Sequence, residues 1–173
     1  VMTGEYPPQS GGVSDYTRQV ARGLVEAGDR VEVWAPPLTG SQRSQNSEPT
    51  GTDEAGTPGI PGIPGILVNR SPAPRRILVQ YVPQSFGWKG ANVPFCLWLR
   101  SRRHDSTWVM FHEVMFCADG AEGPSRQLLA ASHRLMAKLV TGAAERAFVS
   151  IPGWLPMLEP LLREGTSVTW LPV

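Results

Sequence analysis

Short apolar runs separated by stretches of helical periodicity recur along this chain, and that alternation narrows the fold to strands joined by crossover helices. The runs are Val31-Glu32-Val33-Trp34-Ala35, Ile77 to Val82, Trp108 to Phe111, Ala147 to Ser150 and Val168 to Leu171, while Val1-Met2 reads as the end of a further strand entering a turn. Between Val1-Met2 and Val31, Val13, Tyr16, Val20, Leu24 and Ala27 recur at spacings of three and four, which stacks them on one side of a helix. Ser14 is placed to cap that helix, Asp15 suits the positive end of its dipole, and Gly28 is placed to end it in a left-handed conformation. A shorter helix is predicted through Phe95, Leu97, Trp98 and Leu99. Pro124 opens the longest helical pattern, with Leu128, Leu129, Leu135, Met136, Leu139 and Val140 inward and Arg126, Arg134 and Lys138 outward. From Trp154 to Leu162 a further helix is expected, its extent disturbed by Pro156 and Pro160. The prediction is an open, doubly wound α/β domain, a mostly parallel sheet with helices on both faces.

The chain of 173 residues is long enough for one such domain and too short for two large ones. With 41% apolar and 18% charged residues it is not a wholly disordered chain. Sixteen basic residues against fifteen acidic leave a net charge of +1, which argues against nonspecific nucleic-acid binding and toward small-molecule or protein partners. Cys96 and Cys117 are too few for a disulfide scaffold and do not close a zinc site, so a reducing, cytoplasmic compartment is expected. No apolar run approaches the roughly 18 residues of a membrane span. Residues 38–66 are polar and then repeat Gly-Ile-Pro, as expected of a low-complexity loop or insertion. Both ends look cut, so the chain is expected to be part of a larger protein.

In an open parallel sheet, ligands bind beyond the carboxyl ends of strands, where strand order reverses. Three segments qualify: Gly11-Gly12, Pro83 to Gly87, and His112-Glu113. Gly11 and Gly12 precede a helix whose amides and dipole attract an anion such as a diphosphate; alternatively they only make a tight turn. The sequence carries neither G-x-G-x-x-G nor G-x-x-x-x-G-K-[ST], which disfavours a nicotinamide or flavin cofactor and a P-loop. It also lacks a G-x-S-x-G elbow. His112 either caps the segment after its strand or contacts substrate as a neutral imidazole, with Glu113 a neighbour that could pair with it. No metal is predicted, since His104 and His133 lack ligand spacing. Trp88, Lys89, Arg100, Arg102 and Arg103 form a local basic and aromatic cluster, either a solvated surface or a contact for an anionic acceptor or membrane surface.

The stretch from Tyr6-Pro7-Pro8-Gln9-Ser10-Gly11-Gly12-Val13 into an amphipathic helix and Gly28-Asp29-Arg30-Val31 resembles the amino-terminal, Rossmann-like half of family 4 glycosyltransferases of the GT-B fold. Val79 to Pro83, Phe111-His112-Glu113, Ala147 to Ser150 and Val168 to Pro172 follow in the order of that domain, so the resemblance spans residues 1–173 apart from 38–66. It implies retaining transfer of a sugar from a nucleotide-diphosphate-sugar donor to a carbohydrate, lipid or small-molecule acceptor, without a metal or cofactor. It implies that Gly11 and Gly12 approach the donor diphosphate and acceptor, that His112 contacts the transferring sugar, and that Gln84 and Ser85 face the acceptor. The family's carboxyl-terminal, nucleotide-sugar-binding domain has no counterpart in these residues, so this half is expected to be inactive alone. Two other readings stay open: a non-catalytic α/β binding module, and an epimerase-like nucleotide-sugar enzyme. A peripheral membrane contact is also compatible with the resemblance.

Overall fold

Five of the six apolar runs form one parallel sheet in a computed structural model, which describes residues 1–7, 9–35, 75–86, 90–102, 104–114 and 123–173. The strands are β1 (Met2–Thr3), β2 (Arg76–Tyr81), β3 (Ser106–Phe111), β4 (Arg146–Val149) and β5 (Ser167–Trp170), lying side by side in chain order. The segment 38–66, Pro8, Gly87, Trp88, Lys89, Arg103 and Cys117 lie outside the described residues. The helices are α1 (Gly12–Glu26), α2 (Val93–Ser101), α3 (Pro124–Ala143) and a single turn, α4 (Leu155–Leu158).

The sixth run, Val31 to Ala35, is corrected from a strand to a single bridge. Only Trp34 pairs, on the outer side of β1: its amide donates to the Val1 carbonyl and its carbonyl accepts from the Thr3 amide. The partner strand β1 is two residues long, so no longer ladder is available to it. The position of Trp34 still decides the topology. The chain leaves β1, returns on one flank at Trp34, and then crosses to the other flank at β2, so strand order reverses at β1.

Strand register sorts the side chains into two faces. Met2, Val79, Val109 and Ala147 share one face with Tyr81, Phe111 and Val149, and all seven are buried. Helices α2 and α3 cover this face with Phe95, Cys96, Leu99, Met136, Ala137 and Val140. Phe86 stacks on Phe95 at 4.4 Å between ring centroids, and each such fully buried large side chain contributes about 1.5–3 kcal/mol. Asn92 fastens the corner: its side-chain oxygen accepts from the Phe95 amide at 3.0 Å and its amide donates to the Phe86 carbonyl at 2.6 Å. A capping bond of this kind is worth about 1 kcal/mol. The Cys96 thiol is pushed up to about 12 by burial and stays protonated and inert.

The opposite face carries Thr3, Gln80, Met110 and Phe148, and α1 packs there. Its buried stripe is Ser14, Thr17 and Ala21, one position removed from the expected one. Val13, Tyr16, Val20 and Leu24 are half-buried at the flanks and Ala27 is exposed. Small side chains let the helix approach the short strand, and the hydroxyls are satisfied locally. Thr17 Oγ1 donates to the Val13 carbonyl at 2.7 Å and lies 3.3 Å from Thr3 Oγ1. Ser14 does not cap the helix: Gly11 holds the cap position, and Ser14 Oγ donates to the Gln9 carbonyl at 2.6 Å. At the other end Gly28 adopts φ 95° as expected, with its amide bound to the Val25 carbonyl and that of Asp29 to Leu24.

Two further expectations change. On α3 the buried stripe is Ala130, His133, Met136, Ala137, Val140 and Thr141, whereas Leu128 and Leu135 are 73% and 47% exposed. Seven residues apart, they share a stripe on the side of the helix opposite the buried one. The segment after β4 breaks into a 3-10 turn (Pro152–Trp154), α4, and a second 3-10 turn (Glu159–Leu161). Pro152, Pro156 and Pro160 each fall in the first turn of one of these pieces, where a missing amide costs nothing, and each prevents the preceding piece from continuing.

Candidate functional site

Strand order reverses at β1, and beyond the carboxyl ends of β1 and β2 three loops come together. The first is set by Gly4, which is buried directly after β1. A Cβ at this position would overlap that of Ser85 and lie 2.7 Å from the Ser85 carbonyl oxygen, so backbone meets backbone. The 3-10 turn Pro83–Phe86 that follows β2 therefore rests on the exit of β1, and Ser85 is held against the segment leading to the glycine pair.

Gly11 and Gly12 sit at the start of α1, on the same end of the sheet as His112. Gly11 accepts the first helical bond from the Asp15 amide, which leaves the amides of Gly12, Val13 and Ser14 without partners inside the helix, and no side chain caps them. The two glycines have different surroundings. A Cβ at Gly12 would meet nothing within 4 Å, whereas one at Gly11 would overlap the Glu5 carboxylate. Among the described residues, that carboxylate makes no hydrogen bond. Glu5 thus presents a negative, hydrogen-bond-accepting group beside Gly11, and the open anion-facing position is Gly12.

His112 leaves β3 on the α1 side of the sheet. Its amide donates to the Tyr81 carbonyl at 3.1 Å, and its own carbonyl accepts from Trp154 Nε1 at 3.1 Å and Ser150 Oγ at 3.3 Å. The backbone is thereby held from three elements. The ring Nε2 lies 2.7 Å from Gln80 Oε1, so Nε2 carries the hydrogen and Nδ1 keeps its lone pair. The ring of Tyr16, one turn into α1, meets the imidazole in a T-shaped contact at a centroid distance of 5.4 Å and an interplanar angle of 76°. Burial lowers the His112 pKa to about 4, which keeps the ring neutral near pH 7.

Glu113 does not pair with His112. Its charge acts instead on Tyr81 and His133, beyond the other face of the sheet. Gln84, in the same turn as Ser85, has its Cγ 3.5 Å from where a Cβ at Gly90 would stand, and His133 Nε2 lies 3.2 Å from that point. The structure places Gly11, Gly12, Ser85 and His112 at one end of the sheet, with Gln84 in the same turn as Ser85 and beside Gly90. It adds Glu5 from the loop after β1, Tyr16 from α1 and Gln80 from β2.

The buried imidazole makes stability depend on pH with a definite sign. Its folded pKa lies below the ordinary value of 6.5, so its contribution is intact above pH 6.5 and is lost as pH falls toward 4, where the unfolded chain binds the proton and the folded one does not. The expected loss is on the order of 2 kcal/mol across that window, reduced by the partial exposure of the ring. Burial lowers His133 as well, so the effect of His112 is read as the difference between wild type and His112→Gln in urea melts at pH 7 and pH 4.5. The variant should lose less stability on acidification; parallel losses would refute the assignment.

Among the described residues, no cluster of three or more His, Cys, Asp or Glu side chains is placed to hold a metal ion, and no helix is long and apolar enough to cross a membrane. Comparison with protein-family models, with curated proteins and with solved structures finds no match to this chain.

Proposed function

We propose that this chain is the acceptor-side half of a glycosyltransferase, acting in its full-length parent to transfer a sugar from a nucleotide-diphosphate-sugar donor with retention of configuration. The observation that carries the reading is the open position at Gly12, at the same end of the sheet as the neutral imidazole of His112. Transfer breaks the bond between the sugar and the diphosphate, and negative charge grows on the leaving oxygens. Fixed amides at a helix start meet such charge without reorganisation. The free amides of Gly12, Val13 and Ser14 supply that group of donors. They supply only part of what a departing diphosphate requires, and the reading assigns the remainder, with nucleotide recognition, to a second domain closing over the crevice.

His112 suits contact with an uncharged sugar. Nδ1 accepts a hydrogen bond from a sugar hydroxyl, and Gln80 fixes the tautomer that leaves it free to do so. The ring of Tyr16, packed in a T-shaped contact, limits the rotation of the imidazole. On the acceptor side, Ser85 and the carboxylate of Glu5 offer hydrogen-bonding groups to hydroxyls. No metal or cofactor enters this scheme. A cytoplasmic setting suits the free, buried thiol of Cys96.

The deciding experiment uses the gene product that carries this chain, incubated with a set of nucleotide-diphosphate sugars, with release of nucleoside diphosphate as the readout. Release that requires an added acceptor and disappears in His112→Ala supports the proposal. A tightly bound nicotinamide nucleotide in the purified protein would replace it with the epimerase-like reading, and inertness toward every donor would leave a binding module.

A further inference from the structure

The two glycines before α1 are bare for different reasons. Gly12 faces open space, whereas the missing side chain of Gly11 makes room for the Glu5 carboxylate, which a Cβ at that position would displace. The main chain of Glu5 is fastened on both sides: Thr3 Oγ1 donates to the Glu5 carbonyl at 2.8 Å, and the Glu5 amide donates back to that hydroxyl oxygen at 3.3 Å. Thr3 is itself buried and lies 3.3 Å from Thr17 Oγ1 of α1. A rooted backbone therefore sets the carboxylate against Gly11. The preceding residue, Gly4, packs on Ser85, whose hydroxyl makes no hydrogen bond among the described residues.

Among the described residues, no cation pairs with this carboxylate. Arg18 is taken by Asp15 at 3.4 Å, Arg22 by Glu26 at 2.7 Å and Arg30 by Glu32 at 3.9 Å. Arg76 and Arg146, the first residues of β2 and β4, stack on Trp108 at the opposite end of the sheet, 4.1 and 5.0 Å from its ring centroid. Arg100 and Arg102 stand at the end of α2, which runs back toward that same far end.

We infer that, within the sugar-transfer reading on which this rests, Glu5 determines the class of acceptor: it admits neutral polyhydroxy compounds and shuts out those bearing a phosphate beside the reacting hydroxyl. An ionised carboxylate only accepts hydrogen bonds, and its two oxygens match two adjacent hydroxyls of a sugar or polyol. The free amides of Gly12, Val13 and Ser14 serve one anion, the donor diphosphate. A phosphate on the acceptor would be a second anion, set between that diphosphate and Glu5. Two like charges a few ångströms apart near a protein surface weaken binding roughly 10- to 100-fold. A carboxylate that served only the dipole of α1 would leave acceptor choice untouched.

The test follows nucleoside-diphosphate release by the full-length parent with glucose, mannose and glycerol as acceptors, each against its phosphate monoester. Wild type is expected to favour the neutral member by at least about 10-fold in kcat/KM. Glu5→Gln keeps the shape and removes the charge, so it should bring that ratio close to one, with KM for the neutral acceptor raised and turnover of the ester gained. Glu5→Asp, which keeps the charge, should retain the preference. Melts of both variants should match wild type, since the side chain makes no hydrogen bond. A ratio unchanged in Glu5→Gln, or a wild type that favours the esters, overturns the role of Glu5 and leaves the transferase reading standing. Absence of release with every donor and acceptor removes that reading, and the role of Glu5 with it.

Discussion

Gly12→Leu should abolish sugar transfer while the domain stays folded. The side chain enters space in which nothing lies within 4 Å, at a helical position of negative φ, so the thermal midpoint should move by no more than about 1 kcal/mol in equivalent stability. The same side chain fills the approach to the free amides of α1. Loss of one preorganised donor to developing negative charge costs about 100- to 1,000-fold, and blocking the approach removes more than one, so a fall of at least about 1,000-fold in kcat/KM is expected. The measurement is donor turnover by the parent protein, with a melt of the variant alongside. Undiminished turnover with leucine in place would end the proposal that this loop faces the diphosphate. Gly11→Ala is the useful companion, since the three atoms nearest the added methyl all belong to the end of the flexible Glu5 side chain, which can swing aside.

Gly4→Ala should have the opposite signature, a large loss of stability. The added methyl collides with the Cβ of Ser85 and stands 2.7 Å from its carbonyl oxygen, and neither neighbour is the tip of a flexible chain. Relief requires β1 to separate from the turn after β2, which disturbs the Met2–Val79 pairing as well. Overpacking of this kind costs about 3 kcal/mol, a large share of the roughly 5–15 kcal/mol of a typical domain. A urea midpoint shifted to much lower denaturant, with the slope unchanged, is the expected result. Adding Ser85→Gly removes one of the two collisions and should restore part of the loss, because the two positions act through one contact. A midpoint unaltered by Gly4→Ala would mean that the two loops do not touch as described.

The readability of this chain follows from where the determining contact lies. Strands β2 to β4 carry nearly continuous apolar runs because a parallel sheet buries the faces of its inner strands, and that pattern is written in a few adjacent residues; β5, at the edge, is exposed at Ser167, Thr169 and Trp170. The same holds for α3, whose periodicity is sustained over 20 residues. The run at Val31 failed as a strand because its extent depends on a partner only two residues long, a property of β1 and not of the run. The buried stripe of α1 was misplaced because serine and threonine look like surface residues until a short strand requires a close approach. In the candidate site, strand order alone points to the end of the sheet at which Gly12, Ser85 and His112 lie. Gln80 and Tyr16 were hidden, since only the register of β2 against β3 and the placement of α1 bring them to the imidazole. Gly4 was hidden for the same reason, its requirement being set by a residue in a distant loop.

The prolines at 152, 156 and 160 bear on the far edge of the sheet. Each locks its own backbone angle before the chain folds, so the return from β4 to β5 starts with few conformations to surrender. Thr141 fastens it midway, donating its hydroxyl to the Leu161 carbonyl at 3.0 Å, and Trp154 braces its beginning on the carbonyl of His112 at 3.1 Å. The connection therefore works as a stiff strut from the last strand to the imidazole, and the position of that ring is referred to the rim of the sheet as well as to its middle.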